Sequence, residues 1–190
     1  MSKRLGTVMG SSHPATWKSF LHREATAAQQ PRQILRLMSK FLSGLFLACR
    51  GRAETYLSKG EYERAVRDYD EAIRLKPELE ALWNGRCWAK AIIGELQAAL
   101  SDCNEALRLE SNVAATFDSR GLTYLKMGQW DLAIDDYSSA LRLDPKLASS
   151  LYGRGLAKLK TGDKAGDADI AAAKAIETTI VRDFARYGVQ

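Results

Sequence analysis

Residues 114–147 read AATFDSRGLTYLKMGQWDLAIDDYSSALRLDPKL. One apolar helical pattern runs up to Gly128; a second starts near Trp130 and stops before Pro145. Glycine takes the left-handed conformation that closes a helix, and proline cannot continue one. The stretch therefore reads as a helical hairpin. Its frame recurs along the chain. Arg52, Arg86, Arg120 and Arg154 step by 34 residues, and so do Gly60, Gly94, Gly128 and Gly162. Ala65, Ala99 and Ala133 keep the step, as do Ala72, Ala106 and Ala140, and Arg74, Arg108 and Arg142. Columns in phase over this length mark an internal repeat.

Ala65 and Ala72 share a helix face on which Tyr69 lies between them, which suits two helices in close approach. A single hairpin cannot bury its apolar side; stacked neighbours can. The frame predicts repeats over 46–79, 80–113 and 114–147, and a degenerate fourth over 148–177. That last unit has lost one residue, so Asp169 and Ala173 follow Asp136 and Ala140 by 33. Ile180, Val181, Phe184 and Tyr187 have helical spacing, and residues 178–190 are read as a capping helix over the last hairpin's exposed face.

These hairpins resemble the tetratricopeptide family. Its pattern has an aromatic, a small residue and a tyrosine in helix A, then Ala…aromatic…Ala…Pro in helix B. Phe117, Gly121, Tyr124, Ala133, Tyr137, Ala140 and Pro145 match it best. The first unit shows Ala53, Tyr56, Ala65, Tyr69, Ala72 and Pro77. The second keeps Trp83, Ala99 and Ala106 but places Cys87, Lys90, Cys103 and Ser111 at other pattern positions. The fourth, through Gly153-Arg154-Gly155 and the run Asp169–Ile176, resembles the last repeat of bacterial members. The resemblance implies an all-α, right-handed solenoid of four helix-turn-helix repeats with a C-terminal capping helix. It is specific for fold and not for function.

The family usually has leucine where Arg52, Arg86, Arg120 and Arg154 stand, and an aromatic where Asp68, Asp102, Asp136 and Asp169 stand. Both columns change together, to opposite charges. A planar guanidinium pairs well with a carboxylate at a half-buried site. The expectation is a structural ladder of ion pairs, within a unit or between neighbours; the alternative is two rows of solvated charge.

In the family, helix A lines a concave groove that takes extended peptides or short helices. Carried over by position, the first unit contributes Leu47, Arg50, Glu54 and Leu57, and the second Ala81, Asn84, Trp88, Ala91 and Ile92. The third contributes Ala115, Asp118, Leu122 and Leu125, and the fourth Ser149, Tyr152, Leu156 and Leu159. Trp88 is the expected anchor, because aromatics buried by a partner dominate binding energy. The alternative is that Trp88 packs on the chain's own N-terminal segment or on a second copy. Some members clamp the C-terminal carboxylate of chaperones; the corresponding positions here are Arg50, Glu54, Gly85, Asp118 and Leu122. Glu54 and Asp118 would repel a carboxylate, which argues against that ligand.

The remaining signals point away from catalysis, cofactors and metals. The repeats contain no histidine, so no nucleophile there has an imidazole base. Gly153-x-Gly155 follows no strand and is no dinucleotide loop. The acids from Asp163 to Asp169 lack the spacing of a calcium loop and read as a turn and helix start. No cysteine and histidine cluster has zinc spacing. Cys87 and Cys103 face each other across one hairpin and are read as free buried thiols, with a disulfide as the alternative.

Charge is uneven. Residues 1–52 hold nine basic residues and one acid, a balance of +8, so the rest carries −3 of the total of +5. A nucleic-acid reader would more often carry its basic charge on the folded body. Residues 1–30 are read as a disordered basic tail. Residues 31–45 are read as an amphipathic helix that begins at Pro31 and sets Ile34, Leu35, Leu37, Met38, Phe41 and Leu42 against Arg32, Arg36 and Lys40. It could pack on the array, lie on an anionic membrane surface or belong to a targeting segment. The expected function is a non-enzymatic scaffold that binds a peptide or helix of another protein in the groove. The alternatives are a self-assembling subunit or a membrane-associated protein held by residues 32–48. The expected location is cytoplasmic, or exported or membrane-associated if the N-terminal segment is a signal.

Overall fold

A computed structural model of the chain describes residues 14–189, with side chains from residue 30 onward. It divides into two compact units, Met1–Gly44 and Leu45–Gln190. The described residues form helices and contain no strand. Helix α1 spans Pro14–Lys59 with Pro31 inside it. This corrects two expectations. Residues 14–30 are helical rather than an unstructured tail, and Pro31 stands inside a helix rather than opening one. A proline removes one backbone hydrogen bond, and long flanking helix formers can carry the helix past it. The rest of the expected tail, residues 1–13, lies outside the described residues.

In the first unit, residues 30–44 are exposed throughout. Leu35 is 66% exposed and Phe41 70%, far more than such side chains retain inside a core. No helix among the described residues is long and apolar enough to cross a membrane.

In the second unit the chain forms successive hairpins. The C-terminal part of α1 precedes α2 (Tyr62–Leu75). Then come α3 (Glu80–Ile93) with α4 (Leu96–Leu109), α5 (Ala114–Lys126) with α6 (Trp130–Leu143), and α7 (Ala148–Lys160) with α8 (Gly166–Ile176). The short α9 (Ile180–Arg186) follows. Each first helix ends in a left-handed glycine: φ is 75° at Gly60, 90° at Gly94, 73° at Gly128 and 88° at Gly162. The next N–H reaches back to close the turn, as Glu61 to the Tyr56 carbonyl and Gln129 to the Tyr124 carbonyl, at 2.9 and 3.0 Å.

The stack is held by small residues and tyrosines. Ala65, Ala72, Ala99, Ala106, Ala133 and Ala140 are fully buried. Tyr69 lies over Gly85 of the next hairpin, where an added Cβ would come within 2.9 Å of its ring. Tyr137 lies between Gly121 and Gly153 in the same way. In the second repeat this position is Cys103, and Ser119 stands where Gly85 and Gly153 stand. The shorter cysteine leaves room for that serine. It also meets Cys87, with Cα atoms 5.4 Å apart, in a disulfide that ties α3 to α4. This corrects the reading of two free thiols. A crossing that elsewhere seats a tyrosine against a glycine brings two cysteines into bonding range.

Candidate functional site

The first helix of each hairpin lines one side of the array, and there α9 comes to lie. It packs on α7 and α8, as a cap should, yet its side chains reach further. Phe184 meets Tyr152 edge-on at 4.8 Å between ring centroids, and Tyr187 meets Trp88 of α3 at 5.1 Å. Lys126, half-buried in α5, donates to the carbonyls of Ile92 and Tyr187 at 2.8 and 2.7 Å. Both carbonyls belong to helix C-terminal ends, where a cation is favoured. Burial holds the Lys126 ammonium below its ordinary range.

The expected groove residues therefore divide. Leu122 is 1% exposed, Leu125 3%, Tyr152 8% and Ala91 0%. They share a cluster with Ile180 and Phe184, against which Ile92, Leu156, Tyr187 and Val189 also pack. Leu122, Leu125, Tyr152 and Ala91 are thus core, not open groove, because the C-terminal segment covers that stretch. Trp88 is half-buried, and the ring of the C-terminal Tyr187 stands against it. Arg50 and Glu54 form an exposed pair at 2.9 Å on α1.

What stays open is a cavity of about 380 Å³ lined by Leu57, Asn84, Trp88, Asp118, Ser149 and Tyr187, with Glu177, Ile180 and Asp183 on the side of α9. Asn84 also lines it, and the side-chain carbonyl oxygen of that residue is buried without a hydrogen-bond partner among the described residues. Asp118, 7% exposed, accepts from the Ser149 hydroxyl at 2.9 Å and the Ser150 hydroxyl at 2.5 Å. Sequence reasoning missed Lys126, Ser150 and the inward reach of Tyr187. Of these only Tyr187, an aromatic on the last helix, carried a signal.

Burial raises the Asp118 carboxyl from 3.8 to about 6, against the opposing pull of the two serine hydroxyls. A carboxyl whose folded pKa lies above its unfolded one takes up a proton on folding, so its contribution to stability grows as pH falls through about 6 towards 3.8. Relative to Asp118→Asn, the wild-type chain is expected to gain about 1.4 kcal/mol between pH 7.5 and pH 5. Urea melts of both proteins at the two pH values check this. A constant difference would return Asp118 to an ordinary carboxyl.

On the flank of the hairpins each helix-A arginine rests on the aspartate of its own hairpin. Arg52 meets Asp68 through Nε and Nη2 at 2.5 and 2.6 Å. Arg86 meets Asp102 at 2.8 and 2.6 Å, Arg120 meets Asp136 at 2.7 and 2.8 Å, and Arg154 meets Asp169 at 2.8 Å twice. Three of the guanidiniums also reach the preceding repeat. Arg86 donates to Asp70 at 2.6 Å, Arg120 to Asn104 at 2.8 Å and Arg154 to the Ser138 hydroxyl at 3.5 Å. The ladder joins consecutive units, and none of its arginines lines the pocket.

Paired helices at constant stride, each seated on the next through small residues, define a helical-repeat solenoid. Residues 46–79 match the family model described as tetratricopeptide repeat, and residues 121–162 match the one described as TPR repeat. The chain thus contains tetratricopeptide repeats. Its fold is similar to that of TTC0263, a thermophilic TPR protein of Thermus thermophilus, with TM-score 0.65 and 15% identity over 70% of this chain and 75% of that one. It is also similar to the first TPR of Spaghetti (RPAP3) bound to the HSP90 peptide SRMEEVD, with TM-score 0.58 and 21% identity over 62% and 93%. A third is YrrB, a TPR protein with an unusual peptide-binding site, with TM-score 0.57 and 19% identity over 70% and 69%. No curated relative matches the chain.

Proposed function

We propose that this protein is a non-enzymatic interaction scaffold that holds a peptide or helix of a partner protein in the concave pocket. The observation that carries the reading is the open cavity beside Trp88. It is walled by aromatic, aliphatic and acidic side chains. Such a concave, largely preformed site with few convergent polar groups is the usual form of a binding pocket. Two proteins of similar fold are described with a bound peptide or a peptide-binding site, which supports the same use here. Leu57, Asn84, Trp88 and Asp118 would make the contacts.

Panning a randomised peptide library on the immobilised full chain tests the reading. Peptides are expected to be enriched, and Trp88→Ala is expected to weaken them about thirtyfold, a loss of about 2 kcal/mol typical of an aromatic anchor. Enrichment that survives Trp88→Ala, or none, would overturn it.

A second reading rests on α1. Leu35, Leu37, Met38 and Phe41 are each more than half exposed in a stretch that also carries Arg32, Arg36 and Lys40. Contiguous exposed apolar surface of this kind marks an interaction site. A second copy of the chain or an anionic membrane surface would cover it. Deleting residues 1–44 is expected to abolish self-association in sedimentation if a copy covers it, or liposome binding if a membrane does. Loss of neither would retire this reading. The Cys87–Cys103 disulfide favours the exported alternative for location over the cytoplasmic one, because structural disulfides persist in oxidising compartments.

A further inference from the structure

We infer that the pocket selects a basic side chain, a lysine or arginine of the bound segment; this deepens the proposed function and rests on it. The charged groups of the wall are all acidic. Asp118, Glu177 and Asp183 contribute carboxylates, and no lysine or arginine among the described residues lines the cavity. The two serine hydroxyls there are already used: Ser119 donates to the Ala115 carbonyl and Ser149 to Asp118.

Asp118 is nearly buried, and its hydrogen-bond partners among the described residues are two neutral hydroxyls. A buried carboxylate without a cation is costly, and a cation from a ligand relieves that cost. Asp183 accepts from the Thr179 hydroxyl at 2.7 Å, and Arg182 and Arg186 stand off at 3.9 and 3.8 Å on the solvent side. Its charge is therefore only partly offset.

The apolar wall fits the same occupant. Trp88, Tyr187, Leu57 and Ile180 offer surface for the methylene stem of a long basic side chain. An acidic peptide such as the SRMEEVD segment bound to the first TPR of Spaghetti would meet like charge here.

The test uses the peptides selected on the full chain. They are expected to share a lysine or arginine at one register position. Changing that residue to methionine, which keeps the stem and removes the charge, is expected to weaken binding at least about tenfold, as for loss of a hydrogen bond to a charged group. Glu177→Gln with Asp183→Asn, both at the accessible rim, should weaken the parent peptide severalfold and leave the methionine peptide unchanged. Selected peptides that lack a basic position, or that bind equally after the methionine change, would overturn this inference while Trp88 dependence upholds the scaffold. Absence of any Trp88-dependent peptide would overturn both. Self-association of the full chain that Trp88→Ala abolishes, with no peptide selected, would name a second copy as the occupant and overturn the assignment to a separate partner.

Discussion

Asp102→Ala is expected to destabilise the protein by about 3–5 kcal/mol, the cost of orphaning a buried charge. Asp102 is 4% exposed and receives two hydrogen bonds from Arg86, and Lys90 stands 2.9 Å away. Both cations are themselves largely covered, at 14% and 13% side-chain exposure. Removing the carboxylate leaves two desolvated cations, and Arg86 retains the exposed Asp70 and the face of the Trp83 ring. The effect belongs to the orphaned charges and not to the net worth of the pair. Replacing Arg86, Lys90 and Asp102 together with apolar side chains should therefore recover most of the loss. The exposed Arg74–Glu71 pair provides the contrast: Glu71→Ala should change stability by less than about 0.5 kcal/mol. Urea unfolding reads both. A shift below about 1 kcal/mol for Asp102→Ala would mean that the ladder is ornamental.

Tyr137→Ala should cost a similar amount, about 3–5 kcal/mol, by a different route. The ring is fully buried between Gly121 of its own hairpin and Gly153 of the next, so its removal opens a cavity in the seam that joins two repeats. The reverse change is also expected to fail. At Gly153→Ala the new Cβ would stand 2.6 Å from Tyr137 Cε2 and closer still to Cζ, and a ring packed on all sides has no room to retreat. Tyr137→Phe separates packing from polarity. The hydroxyl is buried without a partner, so the phenylalanine variant should be at least as stable as wild type. Thermal melts of the three variants decide the matter. A Phe variant as damaged as the Ala variant would show that the hydroxyl, not the ring, holds the seam.

Much of this was written in the chain as period. The stride of 34 located the turns, because a glycine every 34 residues after an apolar run leaves one conformation that closes the helix. The arginine and aspartate columns were visible as columns, since each keeps phase with the glycines. Less visible was the third column, Asp70, Asn104 and Ser138, which shares the stride but varies in chemistry and carries the ladder between units. The N-terminal helix was legible in type but not in length, since Pro31 reads as a start when local rules alone are applied.

The candidate site was the least legible part. Position within a repeat assigns Ala91, Leu122, Leu125 and Tyr152 to the groove, and for an open array that assignment would stand. Here α9 packs on α7 and α8 and shares one cluster with those side chains, which are core, while a pocket stays open beside Leu57, Trp88 and Asp118. Nothing periodic encodes that return. Tyr187 meets Trp88 across 99 residues of chain, and Lys126 bridges carbonyls of two helices remote in sequence. Local spacing settles which residues share a helix face and where each helix stops, because those depend on neighbours along the backbone. Which face remains open to a ligand depends on where the chain's last helix comes to rest, and that is a contest between burying it there and leaving the groove to solvent.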